Sequence, residues 1–369
     1  MAKARSEKAG LFLARATPFL RDPWVPLRAK RMVIAGCLMP MVLYGAEIWG
    51  MSEERCAGAQ KWVSRAVTMA VGGGSAVPLL VVCDELRILP AHVAAAGRRA
   101  RLLRKARTLR TYLRDVVEKP FTARTRTWYT GTLTWMKRWD KTTVLEPQAL
   151  RERMLAKLRA QDDTLGRRYY RDWHFDETSR VWLELQEQMP EWAVGVSLIL
   201  KMRWRAAWWS PRLAGAGLVE GVHRTKCVAC GADDEEDEGH YFVRCSRWSL
   251  QREGLRPAME AMARLAGDKG PETEAETDAN KERRMGIWLL GGRRESSMGG
   301  TAGNESPNPL RFEGGLGYAK SIAEFVQGTW YRRNGRDQRE SMAIVPPRGE
   351  APTGMPVATA SALPVEDQT

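Results

Sequence analysis

The sequence predicts a mainly α-helical fold, and three observations carry that reading. Helix punctuation brackets residues 52–72, apolar side chains recur at alternating steps of four and three over 91–117, and the chain from Trp128 to Trp209 is mostly helical in pattern. With 369 residues and 44% hydrophobic content the chain can bury a core, as one large or two ordinary domains.

Taken in order, residues 1–25 read as a flexible amino-terminal segment, whose apolar residues are too interrupted by arginine for a secretory leader. A helical region follows over 26–118, with helices expected near 26–49, 52–71 and 91–117. Its first part, PLRAKRMVIAGCLMPMVLYGAEIWG, reads as buried core, and Pro40 should kink any helix running through it because it lacks an N–H. In the second, Ser52 can cap, Glu53 and Glu54 suit the positive end of the dipole, and Gly72 can close the last turn. The apolar face there is Cys56, Val63, Ala66, Val67 and Ala70. The third carries Leu102, Ala106, Leu109, Leu113 and Val116 on one side and Arg101, Arg104, Arg107 and Arg114 on the other. Residues 119–215 read as a tryptophan-rich basic helical connector stopping near Pro211. Past a Cys/His-rich stretch, 256–310 reads as a flexible spacer around the short apolar MGIWLLGG, 311–336 as a last helix, and 337–369 as a disordered Pro/Ala/Gly-rich tail.

Charge narrows the partner. Fifty-eight Lys+Arg against 44 Asp+Glu give a net charge of +14, which points to a polyanion, most simply RNA or DNA, with an anionic membrane surface as the blander alternative. The excess is local: residues 98–138 hold thirteen Lys/Arg against Asp115 and Glu118. No apolar run approaches the roughly 20 residues a bilayer span needs, so the expectation is a soluble intracellular protein, nuclear or cytoplasmic, with no membrane partner and no small-molecule substrate. Six cysteines in so long a chain, with Cys37, Cys56 and Cys83 isolated in apolar surroundings, do not make a disulfide framework.

The other three cysteines lie in CVACGADDEEDEGHYFVRC, spaced Cys227-x2-Cys230-x9-His240-x4-Cys245. Three thiolates and an imidazole complete a tetrahedral zinc shell, and a two-residue gap lets two thiolates of one tight turn reach the same ion. No water position remains, so a single Zn²⁺ here would be structural. The competing reading has the cysteines buried as small hydrophobes, and His223 is an alternative ligand. Asp233, Asp234, Glu235, Glu236, Asp237 and Glu238 lie between the ligand pairs, and the shell itself carries a net charge of about −1. The acids are therefore expected to form a solvated loop tip, with phosphate contacts on the flanks, at Arg224, Lys226, Arg244 and Arg247. Together with Arg98, Arg101, Arg104, Arg107, Arg114, Arg203 and Arg205 these are the candidate nucleic-acid contacts. Trp204, Trp208 and Trp209 either stack bases or belong to the core. Residues 216–255 are expected to fold as a separable zinc unit.

These pieces resemble one family. VLYGAEIWG (Val42 to Gly50), followed by the capped helix and LRILP (Leu86 to Pro90), resembles the helical thumb that follows the polymerase palm in non-LTR (LINE-type) retrotransposon reverse transcriptases. The Cys/His spacing, with Glu238 two residues before His240 and Arg252 seven after Cys245, is similar to the carboxy-terminal CCHC zinc knuckle of the same polyproteins. KMRWRAAWWSPRL, WLLGG and AEFVQGTWYRRN look like the helices flanking that knuckle. The resemblance spans residues 26–333 and hardly touches 120–195. It implies a fragment that grips template or target in target-primed reverse transcription and partners the palm-containing part of the same element. A palm needs two adjacent aspartates at a strand turn, and the only such pairs, Asp162-Asp163 and Asp233-Asp234, have no apolar strand before them. No catalytic residue is therefore expected, and the chain would be inactive alone. The alternative is a zinc-stabilised helical protein-interaction module whose basic helix is simply a solvated face.

Overall fold

Where a flexible start is expected, the chain forms a helix, α1 (Ala2–Arg21), that lies along α5 (Glu53–Ala70) and buries Ala9, Leu13 and Leu20. The computed structural model describes residues 2–50, 52–73, 77–110, 114–115, 127–139, 146–266, 278–292, 310, 315–330 and 332. The described residues are helices and turns, with no strand among them. The tail expected over 337–369 lies outside them.

α5 follows its sequence signals. Ser52 Oγ accepts a hydrogen bond from Arg55 N at 3.3 Å, and the buried side is Cys56, Val63, Ala66, Val67 and Ala70. The preceding segment is more broken than one kinked helix. It runs as α2 (Leu27–Val33), a π turn (Ile34–Leu38), α3 (Met39–Val42) and, past a turn with Gly45 at φ 73°, α4 (Ala46–Trp49). Pro40 has no N–H to give the ladder, and the wider turn ahead of it absorbs the missing bond. Only one face is buried: Ile34, Leu38 and Val42 are inside, whereas Met32 and Tyr44 are exposed.

α6 (Leu79–Glu85) leads to α7 (Ala91–Thr108), which stops at Leu109 with an extended ψ of 133°. The sequence stripe is offset from the real one. Val93, Ala96, Ala100 and Leu103 are buried with Trp135 and Met136 of α8 (Trp128–Met136) and with Leu150 and Met154 of α9 (Pro147–Gln161), while Leu102 is only half-buried. Small alanines let α9 approach closely, and that packing outweighs the leucine periodicity. Leu113 and Val116 lie outside the described residues.

The larger core gathers α1–α6, α10 (Leu165–Asp172), α11 (Ser179–Gln188), α12 (Ala193–Arg203) and α16 (Gly315–Thr329). At its centre Arg203, fully buried, donates to Glu85 Oε1 (3.0 Å), Thr178 Oγ1 (2.9 Å) and the carbonyls of Leu290 (2.7 Å) and Phe175. Tyr170 and Trp204 donate to the same Glu85 carboxylate. Arg203 is thus a core cation and not a nucleic-acid contact, and Trp204 is core rather than a stacking platform. Pro211 does not end a helix; it opens α13 (Ser210–Gly215). Two stretches of the expected spacer are ordered as α14 (Arg256–Ala266) and α15 (Asp278–Leu289), with Ala258, Ile287, Leu289 and Leu290 in the core.

Candidate metal centre

The centre starts from a tight turn. Gly231 takes φ 74°, a value that suits glycine; its N–H donates to Cys227 O (2.9 Å), while Cys227 N–H donates to Ala232 O (3.1 Å). Ala229 N–H points at Cys227 Sγ at 3.4 Å. Across from it, His240–Arg244 forms a π turn closed by Cys245 N–H to His240 O at 2.7 Å, which places His240 and Cys245 together although they are five positions apart. Arg252 locks this turn by donating to Phe242 O (2.9 Å) and Cys245 O (2.5 Å).

One ligand atom from each of Cys227, Cys230, His240 and Cys245 lies within 4.8 Å of all the others. Zn–S bonds of about 2.3 Å and a Zn–N bond of about 2.0 Å in a tetrahedron require S···N near 3.5 Å. Cys230 Sγ and His240 Nε2 are 3.4 Å apart. The donor set can hold one metal ion. Cys227, His240 and Cys245 are buried and Cys230 half-buried, so little solvent competes at the site. His223 is not part of it; its Nδ1 faces Lys226 O at 3.4 Å.

Electrostatics favour a thiolate. A hydrogen bond from the Cys245 thiol, helped by His240 and by backbone N–H groups, outweighs burial and brings Cys227 down to about 3, and Cys245 is correspondingly pushed up. Burial acts against the imidazolium of His240, but its hydrogen bonds with Cys227 and Asp234 prevail and raise it to about 9.

The acidic run is not a solvated tip. Asp234 Oδ2 meets His240 Nδ1 at 2.8 Å, and the same carboxylate accepts from Arg244 Nε (2.8 Å) and Nη2 (3.2 Å). Asp237 Oδ1 accepts from His240 N–H at 2.7 Å. Glu236, 2% exposed, accepts from Ser210 N (2.8 Å) and Oγ (2.6 Å), and Ser210 Oγ in turn accepts from Val228 N (3.0 Å). Glu238, 4% exposed, accepts from Tyr169 OH at 3.2 Å, and burial raises its carboxyl above the usual range. Of the six acids only Asp233 and Glu235 are exposed, and Asp233 pairs with Lys226 at 3.0 Å. The sequence carried one signal for this: a metal-binding imidazole nearly always gives its second nitrogen to a carboxylate or carbonyl, and the loop before His240 is full of carboxylates.

Nor is the centre a separable unit. A Cβ on Gly239 would stand 2.6 Å from Arg283 Cα and one on Gly286 2.4 Å from Glu238 O, so the loop backbone rests directly on that of α15. Tyr241 OH lies 2.5 Å from Thr329 Oγ1 of α16, and Tyr241, Phe242 and Trp248 belong to the main core.

The remaining basic candidates scatter in role. Arg244 is held by Asp234 and by Glu282 (2.9 Å), so it is an internal tie and not a phosphate contact. Arg98 donates to Leu43 O (3.0 Å) and Arg104 pairs with Glu146 (2.8 Å). Arg101, Arg114, Arg205, Arg224 and Arg247 are exposed, with Arg205 over the Tyr169 ring and Arg247 over Trp248. Arg107 lies on α7, with its side chain outside the described residues. Trp208 packs under Arg212 and Trp209 against Tyr241 and Trp330. No helix among the described residues is long and apolar enough to cross a membrane. In comparisons with known proteins, no family model, no curated protein and no solved structure matches the chain.

Proposed function

We propose that the three-cysteine, one-histidine cluster holds one structural zinc ion, as in a CCHC knuckle fused to the core, and that the chain is a nucleic-acid-binding protein. The observation that supports the zinc is the pairing of the cluster with Asp234: four protein donors leave no open coordination position, and the carboxylate fixes the tautomer of His240. Bound there, the ion would crosslink the Cys227 turn to the His240 turn; Asp234 would orient the imidazole and Arg252 would hold the carbonyls of that turn.

The nucleic-acid part rests on the +14 charge and on which arginines remain available. Arg101, Arg205, Arg224 and Arg247 are exposed with no carboxylate partner among the described residues, whereas the acids of the metal loop are largely engaged internally. Such charges neutralise phosphates without reading bases, which fits template or target binding of the kind the retrotransposon resemblance implies. The palm-containing part of the same element would be the protein partner. Polymerisation is not proposed for the residues described. Asp163 pairs with Arg168, Asp233 with Lys226 and Asp234 with Arg244, so neither aspartate pair is poised for the two metal ions of nucleotidyl transfer. A protein-interaction module is the second reading, favoured by the exposed Met32, Tyr44 and Ile48.

The test is a salt titration of binding to single-stranded and structured RNA and DNA. Replacing Arg205, Arg224 and Arg247 together by glutamine should lower the slope of log affinity against log salt by about two to three units if all three meet phosphates. An unchanged slope would move the assignment to the protein-interaction module.

A further inference from the structure

Away from the metal, a cleft of about 360 Å³ opens between α4, α5, α7 and α8. Its walls include Ile48, Arg55, Arg99, Trp128, Trp135 and Arg138, and no carboxylate among the described residues. We propose that this cleft binds a nucleoside phosphate, with the phosphate held by the three guanidinium groups and the base against the indole and isoleucine walls.

The argument begins with Arg99. It is 3% exposed, yet none of its donors reaches an acid among the described residues: Nε goes to Thr132 Oγ1 (2.8 Å), Nη2 to Trp128 O (3.3 Å) and Nη1 to Ile48 O. Its charge is therefore buried against neutral acceptors, an arrangement that an anion would relieve. Its guanidinium also lies 5.0 Å from the Trp128 ring centre, and Trp128 is pinned by its own indole N–H to Glu47 O at 3.1 Å. Arg55, in the first turn of α5, and Arg138, just beyond α8, are both exposed and make no ion pair among the described residues. Like charges left side by side oppose one another: burial first, and Arg55 second, bring Arg99 down to about 10. A fold that gathers three guanidinium groups, none with an ion pair among the described residues, around one concavity gains most from a bound anion.

The walls say which anion. A bare phosphate would not use the two tryptophans, and an apolar ligand would not answer the charge of three guanidinium groups. A nucleotide satisfies both, since every base has a π face and aromatic contacts of this kind tolerate any sequence. The volume lies at the small-ligand end of the pocket range, so one nucleotide fits better than a duplex. The site is built from α4, α5, α7, α8 and the turn after α8, and it stands or falls independently of the arginines around the metal centre.

The full chain is titrated with adenosine 5′-monophosphate, adenosine, inorganic phosphate and a short oligodeoxyadenylate, read by tryptophan fluorescence and calorimetry. The monophosphate should bind at least about tenfold tighter than adenosine or phosphate alone, each lacking one half of the contacts. Arg55→Gln with Arg138→Gln should weaken it by at least about tenfold, and the thermal melt should hold because both side chains are exposed. Arg224→Gln with Arg247→Gln should leave it unchanged. Equal affinity for the monophosphate and the oligonucleotide identifies a free nucleotide as the ligand; tighter oligonucleotide binding that also depends on Arg55 and Arg138 identifies one unit of a strand. Phosphate binding as tightly as the monophosphate, or affinities indifferent to the Arg55 and Arg138 replacements, would overturn the proposal. Oligonucleotide binding that needs Arg224 and Arg247 but ignores Arg55 and Arg138 would overturn it while leaving the nucleic-acid function standing.

Discussion

Asp234 Oδ2 lies 2.8 Å from His240 Nδ1 and 2.8 Å from Arg244 Nε, so one carboxylate orients the imidazole of the Cys/His cluster and anchors the guanidinium of the same turn. Glu282 holds the other side of Arg244 at 2.9 Å, which extends the chain of contacts from the ligand to α15.

Asp234→Asn should keep the fold and weaken metal affinity by about 10- to 100-fold, the usual cost of removing the group behind a ligating histidine. Competition against a chelator measures it. Affinity equal to that of the unaltered protein would show that the carboxylate only pins Arg244.

Cys230→Ser should release the metal and lower the stability of the whole chain rather than unfold one small unit. Tyr241, Phe242 and Trp248 follow the ligands directly and sit in the main core, so the turn and the core share one transition. Melting curves by far-ultraviolet dichroism, with and without zinc, should shift together. A separate early transition in the mutant would restore the picture of an independent knuckle.

Removing one partner of the buried Arg203–Glu85 pair should be severe. Arg203→Met leaves a carboxylate that is 1% exposed, without the guanidinium and still accepting from Tyr170 and Trp204, and should cost about 3–5 kcal/mol. Arg203→Met with Glu85→Gln should cost less than the two single changes summed, because neither charge is then left alone. Additive losses in urea denaturation would mean that the two groups act separately.

Lys30 gives a pH signature. It is 3% exposed, donates to Ala70 O at 3.0 Å, and is brought down from 10.5 to about 8, mainly by burial and further by Lys201, with Asp22 opposing. The folded chain therefore releases this proton before the unfolded chain does. Between about pH 8 and 10.5 the unfolded state binds more protons, and stability should rise with pH; below pH 8 both states are protonated and the full penalty remains. Lys30→Met should flatten that rise in urea titrations at several pH values, and an identical slope in both proteins would refute the assignment.

What the sequence made legible was local. Ser52 caps α5 and its buried face is the one the spacing marks, because cap and stripe both lie within one helix. The convergence of Cys227, Cys230, His240 and Cys245 was readable for the same reason. The acids 233–238 were not: a charge run normally faces solvent, and nothing nearby reveals that Ser210, Tyr169 and Arg244 meet Glu236, Glu238 and Asp234. Arg203 was read as one more surface cation because its partner Glu85 lies far away along the chain. On α7 the leucines dominated the periodicity, whereas the close approach of α9 selects the alanines.

The ring cluster behind His240 gives the molecule an optical gauge of its own. Tyr241 stands 5.6 Å from the rings of both Trp209 and Trp330, which meet edge to face at 5.1 Å, and its hydroxyl is tied to Thr329. Any shift of the turn that carries His240 must move Tyr241 against two indoles, altering energy transfer and quenching among them. Loading of a spectroscopically silent ion would then be visible as a change in emission colour and lifetime, with no label attached.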